Sequence, residues 1–191
     1  MDLCNEEIYR PSDDTYLLTN HLTKYLESVG SIERALEIGS GSGFISCFAC
    51  RYIDYLVMTD IDFSAIDCSR RIMNICGCGS KIDLVICRSG ECFRRESFDL
   101  VYTNPPYLPC NDDARVCGGS EGVEIAIEIV RNLREILKRG HDAFIVSSSL
   151  GDLKKLLREC VSQSFDTRVV EFVRKFFEVI LLIRISRRGN D

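Results

Sequence analysis

Three short stretches hold residues whose types and spacing could do chemistry. In "LEIGSGSG", residues 36–43, Glu37 precedes Gly39, Gly41 and Gly43 on alternating positions. Glycines spaced this way let the backbone turn sharply and approach a ligand closely, and a helix that follows aims its free amides at that ligand. The spacing is not the G-x-G-x-x-G dinucleotide fingerprint, because Phe44 stands in the third glycine's place; a nucleotide-like ligand without a pyrophosphate fits better. In "MTDID", Asp60 closes the next apolar run, at a position where carboxylates accept hydrogen bonds from ribose hydroxyls, and it is a better candidate than Asp62. In "DLVYTNPPYLP", residues 99–109, a run suited to a buried strand meets Asn104, Pro105 and Pro106, which no strand interior tolerates. The bland readings are a tight strand-to-helix turn and a plain proline turn. The joint presence of the glycine loop and Asp60 weighs against both.

The elements that must position these residues alternate between short β-branched runs and longer helical periodicities, the pattern of a parallel α/β sheet. The runs predict seven strands, Ala35–Ile38, Tyr55–Thr59, Ile82–Ile86, Phe98–Thr103, Ala143–Ser147, Arg168–Phe172 and Glu178–Ile185. Helices are expected over Asp14–Ser28, Gly43–Arg51, Ser64–Asn74, Glu124–Leu137 and Asp152–Cys160. The fourth of these carries a one-faced stripe of Ile125, Ile129, Leu133, Ile136 and Leu137, and "LKRGHDAF" predicts that it ends with basic residues and a Gly140 cap. The last two strands are joined by "VRKFFE", too short for a helical crossover, so the final strand is expected to be antiparallel.

Composition narrows the classes of function. The 191 residues suit one domain, and no stretch approaches the ~20 apolar residues of a membrane span, so no membrane association is expected. Met1 to Glu7 lacks the apolar centre of a secretory leader, which gives an expected location in the cytoplasm, with the nucleus as the alternative. A net charge of −5 offers no broad footprint for nucleic acid, and the one basic cluster, Arg184 to Arg188, reads as a solvated tail. The eleven cysteines are odd in number and have no secretory leader, so they are expected to be mostly reduced and buried. "CFAC" and "CGC" could each supply half a zinc site, but CFAC falls in an apolar helical stretch and reads as core.

Glu37, Gly39, Gly41, Gly43 and Asp60 resemble the first motif and the ribose-binding acid of class I S-adenosylmethionine-dependent methyltransferases. "NPPY" at 104–107 is similar to the motif of members that methylate an amide or amino nitrogen on a planar group. "YRPSDDTYLL" (Tyr9 to Leu18) and "GGSEGVE" (Gly118 to Glu124) sharpen the resemblance to HemK-type glutamine methyltransferases. The short archaeal and eukaryotic branch, which acts on the Gly-Gly-Gln loop of the translation termination release factor, resembles the chain over nearly its whole length. The resemblance implies one Rossmann-like domain over residues 1–191, a mostly parallel seven-stranded sheet with helices on both faces, and a helical segment, 1–30, contributing to the donor pocket. It implies S-adenosylmethionine as cofactor and no metal. Thr15 would contact the donor's methionine portion, Glu37, Gly39 and Gly41 would line its pocket, and Asn104 would touch donor and substrate. Where the family usually places an acid near the adenine, this sequence has Ser89, with Glu91 two residues on as the other candidate.

A glutamine amide is a poor nucleophile because its lone pair is delocalised. Under this resemblance, the Asn104 side-chain oxygen and the Pro105 carbonyl would accept from its two N–H bonds, while Pro106 stiffens the turn and Tyr107 forms an aromatic wall. Only His21 and His141 exist, and neither is near a motif, so a hydrolase triad has no candidate residues. Lysine methylation and adenine-N6 methylation remain alternatives, as does a donor-binding subunit that works only with a partner. The branch it resembles uses a small zinc-binding activator protein. The third strand, 82–87, is expected to be a sheet edge open to such a heterodimer partner.

Overall fold

The computed structural model describes Cys4 and residues 8–189; apart from Cys4, the polar stretch Met1 to Glu7 lies outside the described residues. The strands are β1 (Ile32–Ile38), β2 (Ile53–Asp60), β3 (Ile82–Ile86), β4 (Phe98–Thr103), β5 (Leu137–Ser148), β6 (Phe165–Arg174) and β7 (Val179–Arg187). The helices are α1 (Asp13–Val29), α2 (Phe44–Ala49), α3 (Phe63–Ile75), α4 (Glu124–Ile136) and α5 (Leu153–Ser162). The seven strands form one sheet in the order β3-β2-β1-β4-β5-β7-β6. The first five are parallel to one another, and β7 inserts antiparallel between β5 and β6, as the short connection requires.

Alternation along the strands builds two cores, one on each face. Ala35, Leu100, Tyr102, Phe144 and Val146 face α1, α2 and α3, where Leu18, Leu22 and Leu26 form the buried stripe of α1. Leu36, Val101, Ala143 and Ile145 face α4 and α5 through Ile129, Leu133, Ile136 and Leu156. Each fully buried leucine contributes about 1.5–3 kcal/mol, so the sheet is clamped on both sides and its carboxyl edge is held firm. None of the described helices is long and apolar enough to cross a membrane.

Three expectations are corrected. The fourth helix does not run to a Gly140 cap: α4 stops at Ile136, and Leu137 is already extended, fully buried and paired with Phe98. Gly140, at φ 77°, sits in an irregularity where the register passes from Phe98↔Leu137 to Leu100↔Asp142. Lys138 and Arg139 neutralise Asp99 and Glu96 there. The sheet won the segment because burying Leu137 outweighs one more turn of helix. Nor are Arg184 to Arg188 a solvated tail. Arg184 pairs with Asp142, Arg187 bonds the Leu137 carbonyl and Glu96, and Arg188 pairs with Asp166.

The third correction concerns the cysteines. Ten of the eleven form five disulfides: Cys4–Cys68, Cys47–Cys76, Cys50–Cys78, Cys87–Cys92 and Cys110–Cys117. Cys47 and Cys50, one helical turn apart, meet Cys76 and Cys78 of the turn after α3, so CFAC and CGC are partners of one another. The odd count leaves Cys160, whose thiol is buried and pushed up to about 12 by desolvation. Thiol titration of the denatured but unreduced chain should therefore count one group; eleven would overturn the pairing.

Candidate functional site

The strand order reverses direction between β1 and β4, and ligands of open α/β sheets bind beyond the carboxyl ends at such a point. Ile38 and Thr103 are register partners there, and the Thr103 hydroxyl donates to the Ile38 carbonyl at 2.8 Å. Gly39 and Asn104, each one residue farther on, therefore emerge side by side. Asp60 ends β2 on the same edge. Gly39, Gly41 and Gly43 have φ of 72°, 52° and 78°, a conformation that side chains disfavour, and this lets the loop fold back before α2 begins. A Cβ on Gly39 or Gly41 would meet no atom within 4 Å, so the space beside the loop is open.

The Asp60 carboxylate is tied to this loop. One oxygen accepts from the Gly41 amide at 2.9 Å and the other from the Asp62 amide at 3.0 Å, while burial pushes its pKa up. Glu37 is 1% exposed; one oxygen accepts from the Ser46 hydroxyl, which is 2.6 Å from the Tyr102 hydroxyl, and the other has no partner. Desolvation, opposed by Ser46 and reinforced by the nearby Asp60 charge, pushes the Glu37 carboxyl up to about 8. An orphaned buried carboxylate oxygen next to an open glycine loop fits a cationic group on a nucleoside-like ligand.

Asn104 shows the same incompleteness. Its amide nitrogen donates to the Thr15 hydroxyl across a long 3.5 Å, and its buried side-chain oxygen has no partner. Thr15 donates to Asp14 at 3.2 Å. Asp14, 2% exposed, also accepts from the Thr15 amide at 2.6 Å, from the Tyr9 hydroxyl at 2.9 Å and from the Tyr107 hydroxyl at 3.0 Å. Burial, with the Asp14 charge second, pushes both phenols well above their usual range, so they stay protonated donors. Tyr107 is thus anchored by its hydroxyl, a role that reading it only as an aromatic wall missed. Asp14 and Tyr9 were missed too. Both lie in "YRPSDDTYLL", where an acid in a first helical turn reads as a dipole partner.

The segment after NPPY doubles back beneath it. The Tyr107 and Leu108 amides both donate to the Val116 carbonyl, at 3.1 and 2.8 Å, and Cys110–Cys117 closes the loop. Pro105 is buried, and Pro106 and Tyr107 are partly so. A Cβ on Gly118 would stand 2.6 Å from the Pro106 carbonyl, and one on Gly122, at φ 70°, 2.6 Å from that of Tyr107. The glycines of "GGSEGVE" therefore let two backbones touch. Gly122→Ala should displace NPPY, lowering kcat about 100-fold and the melting temperature by several degrees; unchanged turnover would show that the packing does not set the site.

Ser89 lies just beyond β3, 5% exposed at φ 52°, with its carbonyl accepting from the Asn132 amide at 2.8 Å. The Cys87 amide donates to the Asp60 carbonyl at 3.1 Å, which docks this segment beside the end of β2. Glu91 is exposed, leaving Ser89 as the buried candidate. His21 packs on Phe144 and His141 stands 3.5 Å from Asp99, so neither imidazole bonds the cluster.

Comparisons with known proteins bear on the family and the fold. A family model described as the methyltransferase small domain matches residues 12–177. A provisionally assigned protein N5-glutamine methyltransferase of Methanocaldococcus jannaschii is 27% identical, over 95% of this chain and 92% of that one. The Homo sapiens methyltransferase HEMK2 is 32% identical over 70% of this chain and 63% of its own length. Among solved structures, the E. cuniculi Mtq2-Trm112 complex, described as methylating the eRF1 termination factor, superposes with a TM-score of 0.75 at 23% identity. That match covers 95% of this chain and 99% of the other. The N-methyltransferase NodS of Bradyrhizobium japonicum with S-adenosyl-L-homocysteine gives 0.70 at 17% identity, covering 98% and 95%. At these identities the two structures share the fold.

Proposed function

This chain belongs to the methyltransferase small-domain family, and from that premise we propose that it methylates the side-chain amide of the glutamine in the Gly-Gly-Gln loop of the translation termination release factor. The archaeal relative's assignment and the substrate of the E. cuniculi complex support this choice of acceptor. The observation that carries it is the Asn104 oxygen, buried, unpartnered and one residue beyond β4, where an N–H donor would complete it.

S-adenosylmethionine supplies an electrophilic methyl group on a sulfonium. Glu37 would take its ammonium, Asp60 its ribose hydroxyls, Ser89 its adenine and Thr15 its methionine portion, with Gly39 and Gly41 giving close backbone approach. Asn104 and the Pro105 carbonyl would accept from the two amide N–H bonds and hold the nitrogen lone pair toward the methyl group. Neither acceptor needs to be a strong base. Asp14, through Tyr107, fixes the wall against which the planar amide lies.

The test is transfer of labelled methyl to recombinant release factor, with Gln→Ala in its Gly-Gly-Gln loop as control. Label lost in the control supports the reading. Label that survives it points to lysine or another side chain, and label on nucleic acid alone overturns the choice of acceptor. We further propose a small zinc-binding activator on the free edge of β3, forming a heterodimer. Ile86, 58% exposed, ends that edge strand, and Ile61 and Phe63, 62% and 66% exposed, follow Asp60, its register partner on β2. Solubility rescued by co-expression supports this, and a stable, fully active lone chain overturns it.

A further inference from the structure

The two most exposed large apolar side chains among the described residues are neighbours, Phe176 at 93% and Phe177 at 84%. They form the tip of the β6–β7 hairpin, closed by the Lys175 amide donating to the Glu178 carbonyl at 2.7 Å. Two-residue hairpin tips favour Asn-Gly and related pairs, which adopt positive φ without cost. Here neither tip residue has positive φ, and the rings pack edge to face at 4.7 Å, showing their free faces to solvent. A local rule set aside at a fully exposed position, with apolar surface left in water, is a mark of function.

The position of the tip says what it serves. Because β7 runs antiparallel to β5, its first residues meet the last ones of β5: Ile180 pairs with Ser148, and Val179 exchanges hydrogen bonds with Ser149. The hairpin tip therefore stands at the carboxyl edge of the sheet, the edge that holds Asn104. Lys175 pairs with Asp13, the residue before the Asp14 that anchors Tyr107. On the other side of the tip, Glu178 accepts from the Ser148 hydroxyl at 2.6 Å, and its charge is felt by both Tyr9 and Tyr107. Below the tip, half-exposed Phe172 carries the Arg174 guanidinium 5.6 Å over its ring.

We propose that Phe176 and Phe177 dock an apolar recess of the folded polypeptide that carries the target glutamine, giving the enzyme a second point of recognition beside the NPPY pocket. The proposal rests on the protein-glutamine reading above. A planar amide pocket says nothing about the surrounding chain, so selectivity for a protein needs contacts outside it. Two rigid aromatic rings ordered in advance lose little entropy on docking and are the residue type that dominates such contacts. A nucleic acid would require a cluster of cations, whereas Arg174 stands beside Lys175, which Asp13 neutralises, Glu178 follows the tip directly, and the chain carries −5 overall.

The test is Phe176→Ser with Phe177→Ser, assayed with and without co-expressed activator against intact release factor. KM for the release factor should rise about thirtyfold. The kcat at saturation, the donor affinity and the melting temperature should stay unchanged, since the rings are in water. Phe176→Leu with Phe177→Leu, which keeps most of the apolar area, should recover most of the affinity. Transfer by the wild type that is undiminished in the serine variant overturns this inference alone. So does a loss of kcat or donor affinity equal to the KM effect, or a loss of RNA binding at unchanged KM. Failure of the wild type to modify release factor in either form overturns the acceptor assignment, and the docking proposal with it.

Discussion

Asn104→Ala is expected to abolish methyl transfer while leaving the fold intact. In the folded chain the Asn104 oxygen is buried without a partner, and its nitrogen makes only a long 3.5 Å bond to Thr15. An unsatisfied buried acceptor costs about 1–3 kcal/mol, so removing it should leave the melting temperature unchanged or slightly higher. The same oxygen is the acceptor that an amide N–H would meet, and losing one pre-aimed polar group from a reacting centre costs about 10²–10³ in kcat. Poorer alignment of the nitrogen lone pair adds to this. Single-turnover transfer and a thermal melt on the same sample separate the two effects. A melting temperature that falls with the rate would make Asn104 a structural cap of the proline turn. A preserved rate would remove it from the site.

How much of this was legible beforehand follows from what each feature depends on. The glycine loop, Asp60 and Asn104 are set by residue type at strand ends, and β1, β2 and β4 deliver them to one edge as the apolar runs predict. The final antiparallel strand followed from the length of its connection. Asp14 was not legible, because its importance lies in Tyr107, 93 residues away in sequence. The same holds for Arg184, whose partner Asp142 is on β5, and for CFAC, whose partners lie in the turn after α3. Gly140 misled for the opposite reason. Its local chemistry suits a helix cap, yet the register of β4 against β5 absorbs it as an irregularity.

Glu37→Gln should raise the stability of the donor-free chain and weaken donor binding, two effects of opposite sign from one buried charge. Desolvation, its largest cause, pushes the folded carboxyl up to about 8 from its ordinary 4.5. Between those values the folded state holds a proton that the unfolded state has released, so stability falls as pH rises through the interval and the full cost is present above about pH 8. At 1.36 kcal/mol per unit the cost approaches about 5 kcal/mol. The glutamine variant does not titrate, so its melting temperature should exceed the wild type's at alkaline pH and lose this component of the pH dependence. Donor binding runs the other way. Pairing with an ammonium requires the ionised carboxylate, so wild-type affinity should rise from about pH 6 to about pH 7.5, by up to about tenfold per unit, with a proton released on binding. The variant should bind about 100-fold more weakly near the top of that range, since breaking a buried ion pair costs several kcal/mol, and with a flat profile. Calorimetry in two buffers of different ionisation enthalpy reads the proton directly. Parallel pH profiles for the two proteins would place the ammonium elsewhere and leave Glu37 as a strut for Ser46 and Tyr102.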